Sequence, residues 1–478
     1  MSESPEVLII GGGSAGLFCA LGLADRARVT LVEGGPDPGA PLPAEIPHIH
    51  QFGDAMDWGY RDAETDLVLL RGRVLGGSST TNASAGVRGQ PGSFDAWGPG
   101  WTWDDCLPAF RAIERDVQFG SAAYHGDAGP IRMTRLPYGA IDEAFSAACA
   151  RAGHAVIADH NAPGAFGVGP WPTNRDEDGG RMGTLAGVMP LLRGRITVVP
   201  DTVAVRLEVE GGRLAGVVLA GPDGAERTVR PDHLVLSAGA YGTPELLLRS
   251  GIGPAAELEA EGIRPVVDLP GVGRNLQDHP WAMLKVMSVD PDAPAARPVS
   301  GALLRWGIGG DTNDEGQAFP FQTWLYDSTA PPAEVSTAAS IMAPRSRGDV
   351  RVAGGRTVIR LRHLDDPSDV ERMGEVVAHT GAILEDMAHA GVVSLPDAPW
   401  WRHLDPPTLR AHADTYNHPV GTCALGDDDD PDAVVDRRLR LRGVEGVTVA
   451  DASVMPVIPQ TNTNLASMMI GARAAGMI

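Results

Sequence analysis

Val7-Leu-Ile-Ile10 runs directly into Gly11-Gly-Gly13-Ser-Ala-Gly16, and helix-compatible residues follow over 17–24. The apolar tetrad fits a strand buried on both faces of a parallel sheet. The spacing G-x-G-x-x-G between strand and helix has a mechanical reason at each glycine. Gly11 permits a tight turn, Gly13 lets the backbone approach a pyrophosphate, and Gly16 lets helix and strand pack closely. The helix N-terminus, opening at Ser14 and Ala15, then faces the negative charge. A second strand, Val29-Thr-Leu-Val32, ends at Glu33-Gly34. Glu33 stands twenty residues after Gly13, where a carboxylate can accept hydrogen bonds from the ribose hydroxyls of an adenosine. Together these features predict a Rossmann-type dinucleotide unit. They do not separate NAD from FAD.

The chain has 478 residues, 43% of them hydrophobic and 21% charged, which suits a globular protein of two domains. A net charge of −22 repels phosphate backbones and argues against a nucleic-acid partner. Lys285 is the sole lysine, so Schiff-base chemistry has a single candidate. Cys19, Cys106, Cys149 and Cys423 form no Cys-x-x-Cys pair, which fits a reducing compartment. There is no apolar run of about 18 residues and no basic, apolar leader, so a cytoplasmic protein without a membrane span is expected. Asp427-Asp-Asp-Asp430-Pro-Asp432 reads as a solvated loop, and no metal site is expected.

Ile196-Thr-Val-Val199, Val203-Ala-Val-Arg-Leu207 and the segment 214–219 after Gly211-Gly212 read as a hairpin within a meander. His233-Leu-Val-Leu236 is a further buried strand. It ends in Ser237-Ala-Gly-Ala240, where small residues such as Ala238 and Gly239 admit a cofactor close to the backbone. Thr243-Pro244 reads as an N-cap followed by the first residue of a helix that closes at Gly251. Between Asp278 and Asn417 strand-like stretches alternate with a helical pattern over 373–389, which suggests a separate substrate domain. Val447-Thr-Val-Ala450 then returns to the nucleotide-domain character. The expected fold class is α/β: a Rossmann-type dinucleotide-binding domain with a discontinuous α+β substrate domain on a mixed or antiparallel sheet. Residues 1–45, 70–120, 190–277 and 422–478 are assigned to the first, and 46–69, 121–189 and 278–421 to the second.

Four separated motifs carry a resemblance. They are the N-terminal fingerprint with Glu33; Gly72-Arg-Val-Leu-Gly-Gly-Ser-Ser-Thr-Thr-Asn82; and Gly239-Ala-Tyr-Gly-Thr-Pro-Glu-Leu-Leu-Leu-Arg-Ser-Gly-Ile-Gly253, followed by Leu269-Pro-Gly-Val-Gly-Arg-Asn-Leu-Gln-Asp-His279. The fourth is His418-Pro-Val-Gly-Thr-Cys423 with Asp451-Ala-Ser-Val-Met-Pro456 and Asn462-Thr-Asn464. In this order they resemble the glucose–methanol–choline (GMC) family of flavin oxidoreductases, in a short bacterial form akin to choline dehydrogenases. The resemblance implies FAD. It places Arg73, Gly76, Gly77, Ser78 and Asn82 along the cofactor, the Val203 backbone at the adenine, and Asp451, Ala452, Asn462 and Thr463 near the ribityl chain and pyrophosphate. Some relatives attach the flavin through a His just before that Asn. Here the position is Thr81, so a non-covalent FAD is expected.

The same resemblance implies oxidation of a small-molecule alcohol to an aldehyde or ketone. An alcohol proton needs a base with a suitable pKa, and His418 matches that role. The hydride passes to flavin N5, and the electrons go on to O2 or another acceptor. Asn464 is assigned to hold the substrate oxygen, with Asn462 its competitor. His279 reads as structural. Of Phe319, Phe321, Trp324 and Tyr326, half are expected to face the pocket, Trp324 and Tyr326 being favoured. Alternatives from the same resemblance are a hydroxynitrile-lyase-type enzyme and a flavoprotein redox partner, for example in mycofactocin recycling.

Overall fold

The computed structural model describes residues 4–43, 46, 54–292, 301–323 and 327–478. Its first layer is a five-stranded parallel sheet, ordered Val447–Val449, His233–Leu236, Glu6–Ile10, Arg28–Val32 and Thr197–Val199. Glu6–Ile10 sits at the centre, with Ile9 beside both Leu31 and Val235. Its apolar run is buried on both faces, as a central parallel strand requires. Thr197–Val199 was expected to belong to the hairpin, but it forms the edge of this sheet beside Arg28–Val32. The chain turns at Asp201, in the left-handed region at φ 49°, before the meander begins. That meander is Val203–Glu210, Arg213–Ala220 and Glu226–Val229, all antiparallel.

The helix Ser14–Leu23 is wedged between the parallel sheet and the last helix, Thr463–Ala475. Glycine permits the close approach of the two helices. A Cβ on Gly471 would lie 2.0 Å from the Ala15 carbonyl oxygen. This packing brings two helix N-termini, at Ser14 and Thr463, to one place.

The helix after His233–Leu236 spans Gly239–Arg249, beginning before the expected Thr243-Pro244 cap. Its start is held from another segment: Asp451 Oδ2 accepts from the Gly239 N–H (2.8 Å) and from Thr243 Oγ1 (2.6 Å). Pro244 therefore lies inside the helix, where it withholds a hydrogen bond from the Ala240 carbonyl. Thr422 Oγ1 donates to that carbonyl instead, at 2.6 Å.

The second layer is a seven-stranded sheet whose pairings are all antiparallel. Pro280–Ser288, Glu334–Ile341, Asp311–Gln322 and Ala302–Ile308 form its centre. Alternation sorts its two faces. Ala282, Leu284, Val286, Ala318 and Ala339 pack in a core with the helices Ala140–Arg151 and Pro367–His389. Trp281, Phe319, Phe321 and Ala338 form a separate aromatic cluster on the opposite face.

The segment 121–189 does not belong to one unit as expected. Gly167–Pro170 joins the antiparallel sheet, whereas Ile131, Met133, Leu185, Val188 and Met189 pack into the nucleotide-side core. Among the described residues no helix is long and apolar enough to cross a membrane.

Candidate active site

A cavity of about 650 Å³ runs from the glycine-rich turn to the aromatic face of the second sheet. At the first end its wall includes Gly11, Gly13, Ser14, Ala15, Glu33, Gly34 and Val203. A Cβ on Gly13 would meet only the Gly77 Cα, at 3.8 Å. Any side chain there would protrude into the cavity, so backbone N–H groups reach the space directly. Glu33 is buried, with Oε2 accepting from the Gly12 N–H (2.9 Å) and Oε1 from the Gly35 N–H (2.8 Å). Burial pushes its carboxyl up to about 7, against the pull of these backbone donors.

The second glycine loop lies against the first. Gly77, Ser78, Thr81 and Asn82 line the cavity. Three expected contacts stand behind the wall instead. Gly76 donates its N–H to the Gly12 carbonyl (2.8 Å) and staples the loops together. Gly16 keeps the helix tight, since a Cβ there would lie 2.0 Å from the Gly11 oxygen. Arg73 donates from Nε to the Gly34 carbonyl (3.2 Å) and lies 5.5 Å over the Trp58 ring. Ala238, Gly239, Asp451, Ala452 and Thr463 complete this wall.

At the other end sits His418, buried to 8% exposure. Its Nδ1 is 2.9 Å from Nδ1 of His279, and its Nε2 is 3.1 Å from Nδ2 of Asn462. His279 Nε2 lies 3.1 Å from the Met342 carbonyl oxygen. A carbonyl only accepts, so His279 carries its proton on Nε2 and accepts at Nδ1. His418 must then donate from Nδ1, and its Nε2 lone pair faces the Asn462 amide N–H. This hydrogen-bond chain assigns the tautomer. Burial, with His279 and the Arg71 guanidinium nearby, holds the His418 pKa well below the usual imidazole value. The ring is neutral at neutral pH.

Asn462, rather than the expected Asn464, is therefore the neighbour of His418. Asn464 Oδ1 accepts from Ser14 Oγ at 2.7 Å. Asn462 is the N-cap of the last helix, and Asn464 lies within its first turn. Two residues at about 100° each point the side chains to opposite sides. Asn462 Oδ1 and Asn464 Nδ2 are both buried without a hydrogen-bond partner.

Three consecutive residues hold this end together. Gln277 donates from Nε2 to the Pro456 carbonyl (3.0 Å) and accepts the Ile458 N–H (3.1 Å). Asp278 Oδ1 accepts the His418 N–H (2.6 Å), and its other oxygen accepts from Thr415 Oγ1. His279, expected to be merely structural, touches His418 itself. The tripeptide was visible in Leu-Gln-Asp-His279, but its contacts with Thr415 and His418 lie 137 to 140 residues away in sequence.

Phe319 and Phe321 both line the cavity, with Trp171, Trp281 and Tyr416. They share one strand parity. Trp324 and Tyr326 lie outside the described residues.

GMC oxidoreductase family models match residues 6–281 and 344–471. An oxygen-dependent choline dehydrogenase of Brucella melitensis is 30% identical, covering 99% of this chain and 95% of its own. A 5-(hydroxymethyl)furfural oxidase of Methylovorus is 31% identical, covering 99% and 98%. The crystal structure of pyridoxine 4-oxidase from Mesorbium loti superposes with a TM-score of 0.89 at 30% identity, covering 99% and 98%. With these matches over a Rossmann-type sheet, a cavity lined by the glycine-rich turn and a buried histidine, the chain belongs to the GMC oxidoreductase family, whose members are FAD-binding oxidoreductases.

Proposed function

We propose that this protein oxidises the CH–OH group of a small alcohol to an aldehyde or ketone, with His418 as the base. The observation that carries this reading is the His418 Nε2 lone pair, directed by His279 toward Asn462 at the end of the cavity. The residues fit FAD. Gly13 leaves room for a pyrophosphate, Glu33 stands where ribose hydroxyls would lie, and the Ser14 and Thr463 helix N-termini converge on the same wall. Asn464, with its unpartnered amide nitrogen, belongs with Ser14 at this cofactor end. When bound, FAD supplies at N5 the acceptor for the hydride leaving the carbinol carbon, and passes the electron pair to oxygen or another acceptor.

The protein's own part is the proton and the geometry. Neutral His418 takes the hydroxyl proton at Nε2. Asn462 Nδ2 then donates to the substrate oxygen as negative charge develops there. His279 keeps Nδ1–H of His418 occupied, so that Nε2 alone is available. Thr81 lines the cavity and has no ring nitrogen, which supports a non-covalent FAD. The relatives are named for choline, 5-(hydroxymethyl)furfural and pyridoxine, all of which carry CH–OH groups. The test is anaerobic bleaching of the bound flavin by an alcohol, with the carbonyl product identified. A flavin that no alcohol bleaches counts against the reading.

A further inference from the structure

We propose that the substrate is a planar aromatic alcohol without positive charge, its ring lying against Trp281, Phe321 and Tyr416 and its carbinol at His418. This rests on the reading of the site as alcohol-oxidising.

Three rings of the wall that leads to the base, Trp281, Phe321 and Tyr416, lie in nearly one orientation, whereas Trp171 and Phe319 cross at 78°. Trp281 and Tyr416 stack at 4.7 Å and 17°, and Trp281 and Phe321 lie at 6.1 Å and 11°. The Tyr416 and His418 ring centroids are only 4.2 Å apart, at 31°. Tyr416 thus joins the aromatic wall directly to the base, so a ring held on that wall lies close to His418. A lining this rich in rings suits a planar aromatic ligand, by stacking or by edge-to-face contact.

Aromatic walls also serve quaternary ammonium ligands through cation–π attraction. Charge decides between the two. The carboxylates among the described lining residues are Glu33, Glu245 and Asp451. Glu33 and Asp451 are tied to backbone N–H groups of the nucleotide wall. Glu245 pairs with Arg249 at 2.9 Å and takes a hydrogen bond from Tyr60, whose ring stacks with Trp58 beside Gly34. The aromatic end instead has guanidinium neighbours. Arg71 donates to the Asn417 carbonyl, adjacent to His418, and Arg175 donates to the Ala83 and Gly179 carbonyls. Asp278, beside the His418 backbone, is already taken up by the His418 N–H and Thr415 Oγ1, so a buried cationic substrate would face these cations without a free carboxylate among the described lining residues, which is costly.

The test uses anaerobic holoprotein and three alcohols: 4-methoxybenzyl alcohol, cyclohexylmethanol and choline. Two readouts are taken, flavin bleaching and the perturbation of the oxidised flavin spectrum on binding. The expected order of second-order reduction constants is aromatic first, about tenfold above cyclohexylmethanol, with choline last. Phe321→Leu, with FAD content unchanged, should bring the aromatic-to-cyclohexyl ratio toward one. Choline or cyclohexylmethanol matching the aromatic alcohol overturns the proposal while leaving alcohol oxidation intact. Spectral binding of the aromatic alcohol alone, without bleaching by any of the three, supports the substrate class and contradicts alcohol oxidation. No perturbation and no bleaching by the aromatic alcohol overturns the proposal.

Discussion

The Nδ1 atoms of His279 and His418 lie 2.9 Å apart, and the Met342 carbonyl at His279 Nε2 decides which of the two carries the shared proton. Changing His279 thus acts on the tautomer of His418 rather than on the substrate. His279→Ala should lower kcat for alcohol oxidation by about tenfold or more, with KM and FAD content little changed. His279→Asn keeps an acceptor oxygen and should recover part of the loss. Steady-state kinetics on both variants checks this, and equal losses in the two would count against tautomer control.

Asn462 and Asn464 are two residues apart and face different chemistry. Asn462→Ala should slow flavin reduction by about 10²-fold, the usual cost of a missing donor to a developing oxyanion. Asn464→Ala should instead weaken FAD binding through the lost Ser14 contact and leave the reduction rate of loaded protein within about twofold. Flavin titration and stopped-flow reduction separate the two effects.

The lowered His418 pKa sets the pH profile. The folded protein prefers the neutral ring, whereas the unfolded chain takes up a proton near pH 6.5. The stability from neutral His418 is present above that value and is lost as pH falls toward the depressed one. Flavin reduction should accordingly be level between pH 6.5 and 8 and decline only at lower pH. A rate that climbs through an apparent pKa near 7 would contradict this.

His125 behaves in the opposite sense. It is buried with its Nδ1 2.8 Å from Glu114 and its Nε2 2.9 Å from Asp159. Burial alone would lower its pKa, but the hydrogen bonds to Asp159 and Glu114 raise it above the usual value. With Arg88 and Arg135 it balances Glu114, Asp116 and Asp159. Its stabilisation is complete below pH 6.5 and is lost as pH rises through the raised value. His125→Gln should cost about 3 kcal/mol at pH 6 and less at pH 9, read from thermal or denaturant unfolding.

Thr81 in place of an imidazole predicts that acid precipitation releases all the flavin into the supernatant, where its absorbance is measured. Flavin retained in the washed pellet would show a covalent link.

The nucleotide end was legible because its signal is local. Strand, turn, helix and Glu33 fall within thirty residues, and each glycine has a steric reason. The catalytic end was less so. His418 stood out within its motif, but the choice between Asn462 and Asn464 depends on where the last helix begins, which shifts each side chain by about 100° per residue. The role of His279 depends on a contact across 139 residues. The start of the helix at Gly239 was hidden for a similar reason, since its capping carboxylate, Asp451, comes from 212 residues downstream. Thr197–Val199 looked like a hairpin arm because an edge strand of three residues carries almost no pattern of its own.

The most direct test compares anaerobic flavin bleaching by an aromatic alcohol in the holoprotein and in its His418→Ala variant, both carrying a full complement of FAD. The account predicts bleaching by the wild-type protein with formation of the aldehyde, and a rate at least 10²-fold lower in the variant. Equal rates in the two proteins would remove His418 from the reaction, and a flavin that no alcohol bleaches would contradict the proposed function itself.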